Sequence, residues 1–304
     1  MSKLTKGKIF SLSAIAVLII AVFFVFAFKN SNNSRTPDNA YKLVEEILAF
    51  GPRYSGSEGL KNVQNFIKNY FTSHGFKVIE DNFTANTSIG KIPMKNISVL
   101  IPGKVKNNKR ILLCAHYESK LMKDILFVGA NDNASGTALL MALAPILKQN
   151  EYNFDLELVF FDGEECFSEH WKEDDSLFGS RRYVENLKSN NESAKIKAMI
   201  LLDMIGDKDL GIDVDSGSNE KLTKLMIKSA NAEKLGHLLS GRVIAIEDDH
   251  TPFLREGIPA IDIIDFSYDN WHTENDTIES ISPESLKNTA TIVLRMLAEL
   301  NKET

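Results

Sequence analysis

The sequence predicts an α/β sandwich on a mostly parallel sheet. Three observations carry this. Short apolar runs rich in Val, Ile, Leu and Phe recur along the chain and read as buried strands. Longer segments with apolar residues at helical spacing lie between them, the alternation expected of parallel strands joined by crossover helices. The 304 residues, 43% of them hydrophobic, suit one large α/β domain or two small ones, and no internal repeat divides the chain.

The N-terminus stands apart. Lys3, Lys6 and Lys8 precede an uncharged apolar run over residues 9–28, and Lys29 follows it. A helix of that length spans a hydrocarbon core roughly 30 Å thick, and the basic residues ahead of it favour a cytoplasmic N-terminus. Residues 1–29 are therefore expected to be a signal-anchor, with a cleaved signal peptide as the rival reading. Residues 30–38, NSNNSRTPD with its preceding charge, form a polar linker. Residues 39–304 are then expected to be the folded domain, outside the cytoplasm, touching the membrane only through the N-terminal segment. An exported chain permits a disulfide, so Cys114 and Cys166 are either bridged or two separate buried thiols. The net charge of −6 argues against nucleic acid as the ligand, because phosphate binding calls for a basic face. Nothing in the sequence specifies an oligomer.

The elements follow in order. Residues 39–49 place Tyr41, Val44, Ile47 and Leu48 on one helical face. FGPRYSGSEG (50–59) is a breaker-rich loop. Residues 60–74 form a second amphipathic helix, stopped by Gly75. Strands are expected at 76–80, 96–101, 111–114, 156–161, 199–202 and 260–264. A nearly uncharged helix is expected at 133–148 and further helices at 220–230 and from Ser282-Pro283-Glu284 to residue 300.

The chemistry-bearing residues sit where those strands end. His116 follows 111–114, Glu164 and Glu165 follow 156–161, and Asp203 follows 199–202. Asp132 stands in the loop before the apolar helix, and His272 lies downstream of 260–264. Ligands of open α/β sheets bind beyond the carboxyl ends of the strands, so these residues are expected on one rim. Taken singly, each acid reads equally as a helix cap or solvated charge, and Asp132 as a cap for the helix after it. Together they form a mixed imidazole and carboxylate set suited to zinc, with an open position for catalysis. Adjacent Glu164 and Glu165 cannot point the same way. Glu165 is expected to bind the cation and Glu164 to stand beside it as a proton carrier, its pKa raised by a neighbouring carboxylate and lowered by the metal.

CAHYES, GANDNASG, FFDGEE, LLDMIG and WHTENDT, in that order, resemble the superfamily of zinc aminopeptidases and animal-type glutaminyl cyclases across roughly residues 39–300. The resemblance implies a single-domain, zinc-exopeptidase-like fold, a twisted mixed sheet with helices on both faces. It also implies a zinc-dependent enzyme acting on peptide or protein N-termini. Both branches keep the same His, Asp, Glu, Asp, His series. In the cyclases one zinc is held by the counterparts of Asp132, Glu165 and His272; in the aminopeptidases His116 and Asp203 join them around two zinc ions. HWKEDDSLFGSRRY (170–183), EDDHTPFLREGIPAI (247–261) and Trp271 before the last ligand are cyclase-like. GANDNASG is aminopeptidase-like, and there is one extra residue between Glu165 and Trp171 relative to the animal cyclase pattern. The favoured expectation is a glutaminyl-peptide cyclotransferase with one zinc, with a two-zinc aminopeptidase as the alternative. Under the cyclase reading Glu164, Asp203 and Asp248 are catalytic, and Trp271 and Trp171 wall the substrate pocket. An inactive binding domain on the same fold would have lost ligands, and none is lost.

Overall fold

The computed structural model describes residues 37–106, 109–168 and 171–303. The expected anchor and most of the linker lie outside the described residues. Among those described, no helix is long and apolar enough to cross a membrane.

The chain from residue 37 onward is one compact unit built on a six-stranded sheet. The strands are β1 (Val78–Thr87), β2 (Gly90–Ile101), β3 (Arg110–His116), β4 (Asp155–Phe161), β5 (Ile196–Asp203) and β8 (Ala260–Ile264), in spatial order β1-β2-β4-β3-β5-β8. β4, β3, β5 and β8 are mutually parallel, and the β1–β2 hairpin joins them antiparallel through β2. Leu113 sits beside Leu158 of β4 and Ile200 of β5. This register sends Ile111, Leu113 and Ala115 to one face and Leu112 and Cys114 to the other.

Both faces are covered, which explains why the core strands read as largely apolar runs, broken only by Glu157 in β4 and Asp262 in β8 within the expected spans. On the first face the strands pack with α1 (Ala40–Leu48), α2 (Glu58–Ser73), α3 (Gly136–Gln149), α5 (Glu220–Ala232) and α7 (Pro283–Lys302). On the second, Leu112, Val159, Phe161 and Leu201 meet Val184 and Leu187 of α4 (Phe178–Ser189) and Phe253 of α6 (Thr251–Arg255). Because four core strands are parallel, their carboxyl ends share one rim. His116 ends β3, in register with Phe161 at the end of β4, and Asp203 ends β5.

Several elements depart from the sequence expectation. The hairpin is longer than two short strands, since β1 and β2 continue past the core as a paired ribbon turned at Ser88 and Ile89. Its outer residues are mostly exposed or half-buried, with only Ala85 and Met94 buried, so no apolar run marks them. A small parallel pair, β6 (Ile212–Asp215) with β7 (Leu239–Ile244), lies outside the main sheet; its strands are short and carry acids or exposed residues. Helix α4 is polar on most of its surface. Helix α3 begins at Gly136, three residues later than expected. Cys114 and Cys166 are both buried and form no disulfide.

Candidate metal centre and active site

Asp132 lies in a tight turn, residues 130–135, with non-helical backbone at Asp132 and Asn133. Asn133 Oδ1 accepts the amide of Gly136 at the start of α3, 2.9 Å away, and its Nδ2 donates to Leu202 O at 2.8 Å. Asn133 is thus the cap, and the Asp132 carboxylate is left to face the rim. Asp276 holds the turn from the far side by accepting the amides of Asn131 and Asp132 at 2.7 and 3.2 Å. Arg53, wholly buried, closes it from below: Nε donates to Tyr117 O at 2.9 Å, Nη2 to Gly129 O at 2.8 Å, and Nη1 to Val128 O. Arg53→Met removes the donor from three carbonyls at once. The Gly129 carbonyl keeps the Ala134 amide, but those of Tyr117 and Val128 lose their donor. Each buried carbonyl left without a partner costs about 1–3 kcal/mol, so urea unfolding of this variant is expected to show a loss of about 2 kcal/mol or more.

Asp132 stands between two groups of donors. Oδ1 lies 3.2 Å from His116 Nε2, which is also 3.3 Å from Asp203 Oδ1. Oδ2 lies 3.2 Å from His272 Nε2, which is 3.0 Å from Glu165 Oε1. Glu164 points away from its neighbour, into a third group with His116 and Glu118. The structure shows how adjacent acids are made to diverge: buried Glu118 accepts both of their backbone amides on Oε1, at 2.7 and 3.1 Å. His272 adopts a left-handed backbone, φ 55°, and so does Met204, φ 47°, immediately after Asp203. For residues with a Cβ this conformation is strained and clusters at functional sites.

These residues fit a divalent cation. His116 Nε2, Asp132 Oδ2 and Asp203 Oδ1 are buried and make no well-formed hydrogen bond, although oppositely charged neighbours lie close. Donor atoms of His116, Asp132 and Asp203, and of Asp132, Glu165 and His272, each converge within 4.8 Å. His272 Nε2 and Glu165 Oε1 hydrogen-bond each other at 3.0 Å, but the other buried donor atoms named lack a partner, and nitrogen and oxygen donors are what zinc takes. Without a metal the imidazoles hold protons instead. Burial opposes this at both, but Asp132 and Asp203 carry His116 well above its ordinary value, and Glu165 and Asp132 carry His272 up to about 10. Glu164 is pushed well up by burial and then by Asp248, and Asp203 is pushed to about 7 chiefly by burial. Burial and neighbouring acids thus favour the protonated form of both carboxyls.

A cavity of about 490 Å³ opens above this centre. Eight of the nine residues singled out from the sequence line it: Asp132, Glu164, Glu165, Trp171, Asp203, Asp248, Trp271 and His272. The ninth, His116, is buried behind Asp132. Trp271 stacks on His272, ring centroids 4.2 Å apart and 26° between planes, and leans on Phe266 at 5.0 Å. Trp171, half exposed, also lines the cavity, on the segment between Ser168 and Asp175. That segment is tied by two carboxylates, Glu173 to the Arg255 guanidinium and Asp175 to two serines. Asp175 Oδ2 accepts the Ser168 hydroxyl at 2.7 Å and the Ser88 hydroxyl at 2.6 Å, and Oδ1 accepts the Ser88 amide at 2.7 Å. The tip of the β1–β2 hairpin is thus fastened to the wall that carries Trp171. Lys120, Ile246 and Phe266 also line the cavity. Sequence reasoning singled out none of these, nor Arg53, Glu118 or Asp276. Glu118 stands in the quoted CAHYES and Asp276 in WHTENDT, so the motifs contained two of them.

An α/β sheet with imidazole and carboxylate donors gathered on its carboxyl rim, beside a partly buried acid, is the architecture of the metal-dependent exopeptidases. The chain belongs to peptidase family M28, whose profile matches residues 96–297. It is 31% identical over 278 residues to a glutaminyl-peptide cyclotransferase-like protein of Mus musculus, covering 81% of this chain and 72% of that protein. An Acidobacteriales bacterium glutaminyl cyclase shares the fold with a TM-score of 0.84 at 36% identity, over 88% of this chain and 96% of that one. A leucine aminopeptidase precursor from Bacteroides thetaiotaomicron gives 0.77 at 26% identity, over 86% and 96%. The fold expected from the motifs is the fold observed.

Proposed function

We propose that this chain is a zinc-dependent glutaminyl-peptide cyclotransferase, converting N-terminal glutamine of peptides to pyroglutamate with release of ammonia. The observation that carries the reading is that Asp248 and Trp271, its two cyclase-like positions, line the same cavity as Asp132, Glu165 and His272. Zinc would be held by those three residues and would supply Lewis acidity to the substrate's γ-carboxamide oxygen. The cavity walls hold the α-amine near the γ-carboxamide carbon, so that attack is intramolecular. Glu164 takes the amine proton as the new C–N bond forms and returns it to the departing ammonia. Asp203 and Asp248 hydrogen-bond the reacting centre, and the burial that raises Asp203 to about 7 favours the protonated form that can act as a donor. Trp271, fixed against His272 and Phe266, offers a flat face to a planar amide.

One observation favours a second reading. The buried, unpartnered atoms of His116 and Asp203 beside Asp132 would accommodate a second zinc, and with it an aminopeptidase in which Glu164 is the general base for water. A parallel assay separates the two. The purified protein is expected to release ammonia from Gln-peptides, leaving a product blocked to Edman chemistry, with one zinc per chain. Release of N-terminal alanine or leucine with two zinc ions and no ammonia would establish the aminopeptidase instead.

The apolar run at 9–28 supports membrane attachment with the enzyme domain outside the cytoplasm, because a helix of that length is effectively irreversible once inserted. Fractionation is expected to find the protein with membranes and its N-terminus intact. A soluble exported form beginning near Phe28 would instead identify a cleaved signal.

A further inference from the structure

Among the described residues lining the cavity, Lys120 is the only lysine or arginine, and none of the roles above uses it. Its ammonium is largely buried, with the side chain 11% exposed. It makes two contacts: Nζ donates to Glu165 Oε2 at 3.1 Å and to the Cys166 carbonyl at 3.0 Å. Glu165 therefore spends its two oxygens differently. Oε1 lies 3.0 Å from His272 Nε2, which is also 3.2 Å from Asp132, so this oxygen belongs to the donor group. Oε2 is held by an ammonium that is itself anchored to the backbone.

A carboxylate can bind a metal through one oxygen or through both. Two-oxygen binding raises the coordination number, weakens the metal as a Lewis acid and fills the position a substrate oxygen needs. Residues that hydrogen-bond a ligating carboxylate decide between these modes. We propose that Lys120 is a positioning residue that occupies Glu165 Oε2 and so limits Glu165 to single-oxygen ligation, keeping a place open on the metal. The proposal rests on the assignment of Asp132, Glu165 and His272 as the zinc ligands. A purely structural staple between Lys120 and the turn at 164–166 would have a different signature, because its loss would loosen the turn and release the metal.

Cobalt(II) substitution reads the difference, since four-coordinate cobalt absorbs visible light far more strongly than five-coordinate cobalt. Wild-type protein loaded with cobalt is expected to show the strong four-coordinate bands. Lys120→Met should retain its cobalt and its thermal midpoint while the bands weaken severalfold. The zinc form should lose about tenfold or more in kcat at unchanged zinc stoichiometry, the usual scale for an outer-shell partner. Lys120→Arg should restore the strong bands. Wild-type bands in Lys120→Met, or loss of metal in step with loss of stability, would overturn the proposal. So would five-coordinate bands in the wild type, a measurement that stands even if Lys120→Met does not fold. Failure of the wild type to bind cobalt or zinc at all would overturn the ligand assignment itself, a separate failure.

Discussion

Glu164→Gln is expected to keep its zinc and lose about a thousandfold in kcat, while Glu165→Gln and His272→Ala lose the metal. The first figure is the middle of the range for removing a positioned proton carrier. The expectation follows from the divergence of two adjacent side chains. Glu118 grips the amides of both residues. With the backbone fixed, Glu165 turns to His272 and Asp132, and Glu164 turns to His116 and Glu118. Glutamine at 164 keeps the shape and removes the titrating group. Glutamine at 165 keeps an oxygen but removes the charge that draws the cation, and metal affinity is expected to fall by at least ten- to a hundredfold. Metal analysis and steady-state kinetics on the same samples check both. Equal zinc loss in the two glutamine variants would show that the pair has been assigned the wrong way round.

Asp248→Ser is expected to lower kcat for Gln-peptides about a hundredfold, roughly 2.7 kcal/mol of transition-state stabilisation, by analogy with removing one preorganised hydrogen-bonding group. Asp248 lines the cavity with Asp203, and its charge helps raise both Glu164 and Asp203. A serine keeps a hydroxyl but neither the charge nor the reach. The variant should retain zinc, because Asp248 is not among the converging donors. Kinetics on Gln- and Ala-substrates in parallel test this; an Asp248→Ser protein that cyclises as fast as wild type would remove the main residue-level support for the cyclase reading.

The parts of the molecule legible in the sequence were those with a periodic or terminal signal. β3, β4, β5 and β8 were readable because strands buried on both faces are apolar at nearly every position, Glu157 and Asp262 being the interruptions within the expected spans. The metal-donor residues were readable because each follows such a run or stands in a quoted motif. The hairpin extension, the β6–β7 pair and α4 were not, because their packing rests on a few half-buried residues among polar ones. At the site, Arg53 and Lys120 act through backbone carbonyls and one oxygen of a distant acid. Such contacts leave no spacing in the chain, and a buried arginine in a glycine- and serine-rich loop looks like any surface charge. The start of α3 was misplaced for a related reason. Asn133 looked like the first helical residue, but its side chain serves as the cap, and the turn before Gly136 is shaped to present Asp132.

The fastening of Ser88 and Ser168 to Asp175 separates two kinds of inheritance within one chain. The metal donors descend from the rim of the parallel sheet, where a change of one residue disturbs the core beneath it. The wall bearing Trp171 is instead tied through Asp175 to the tip of an exposed ribbon and through Glu173 to Arg255 of α6. Ribbon length and tip composition can drift at little cost to the interior, and each such change moves that wall. Relatives of this chain can therefore diverge in which peptides they admit long before they diverge in chemistry, and the hairpin is where that divergence would first be written.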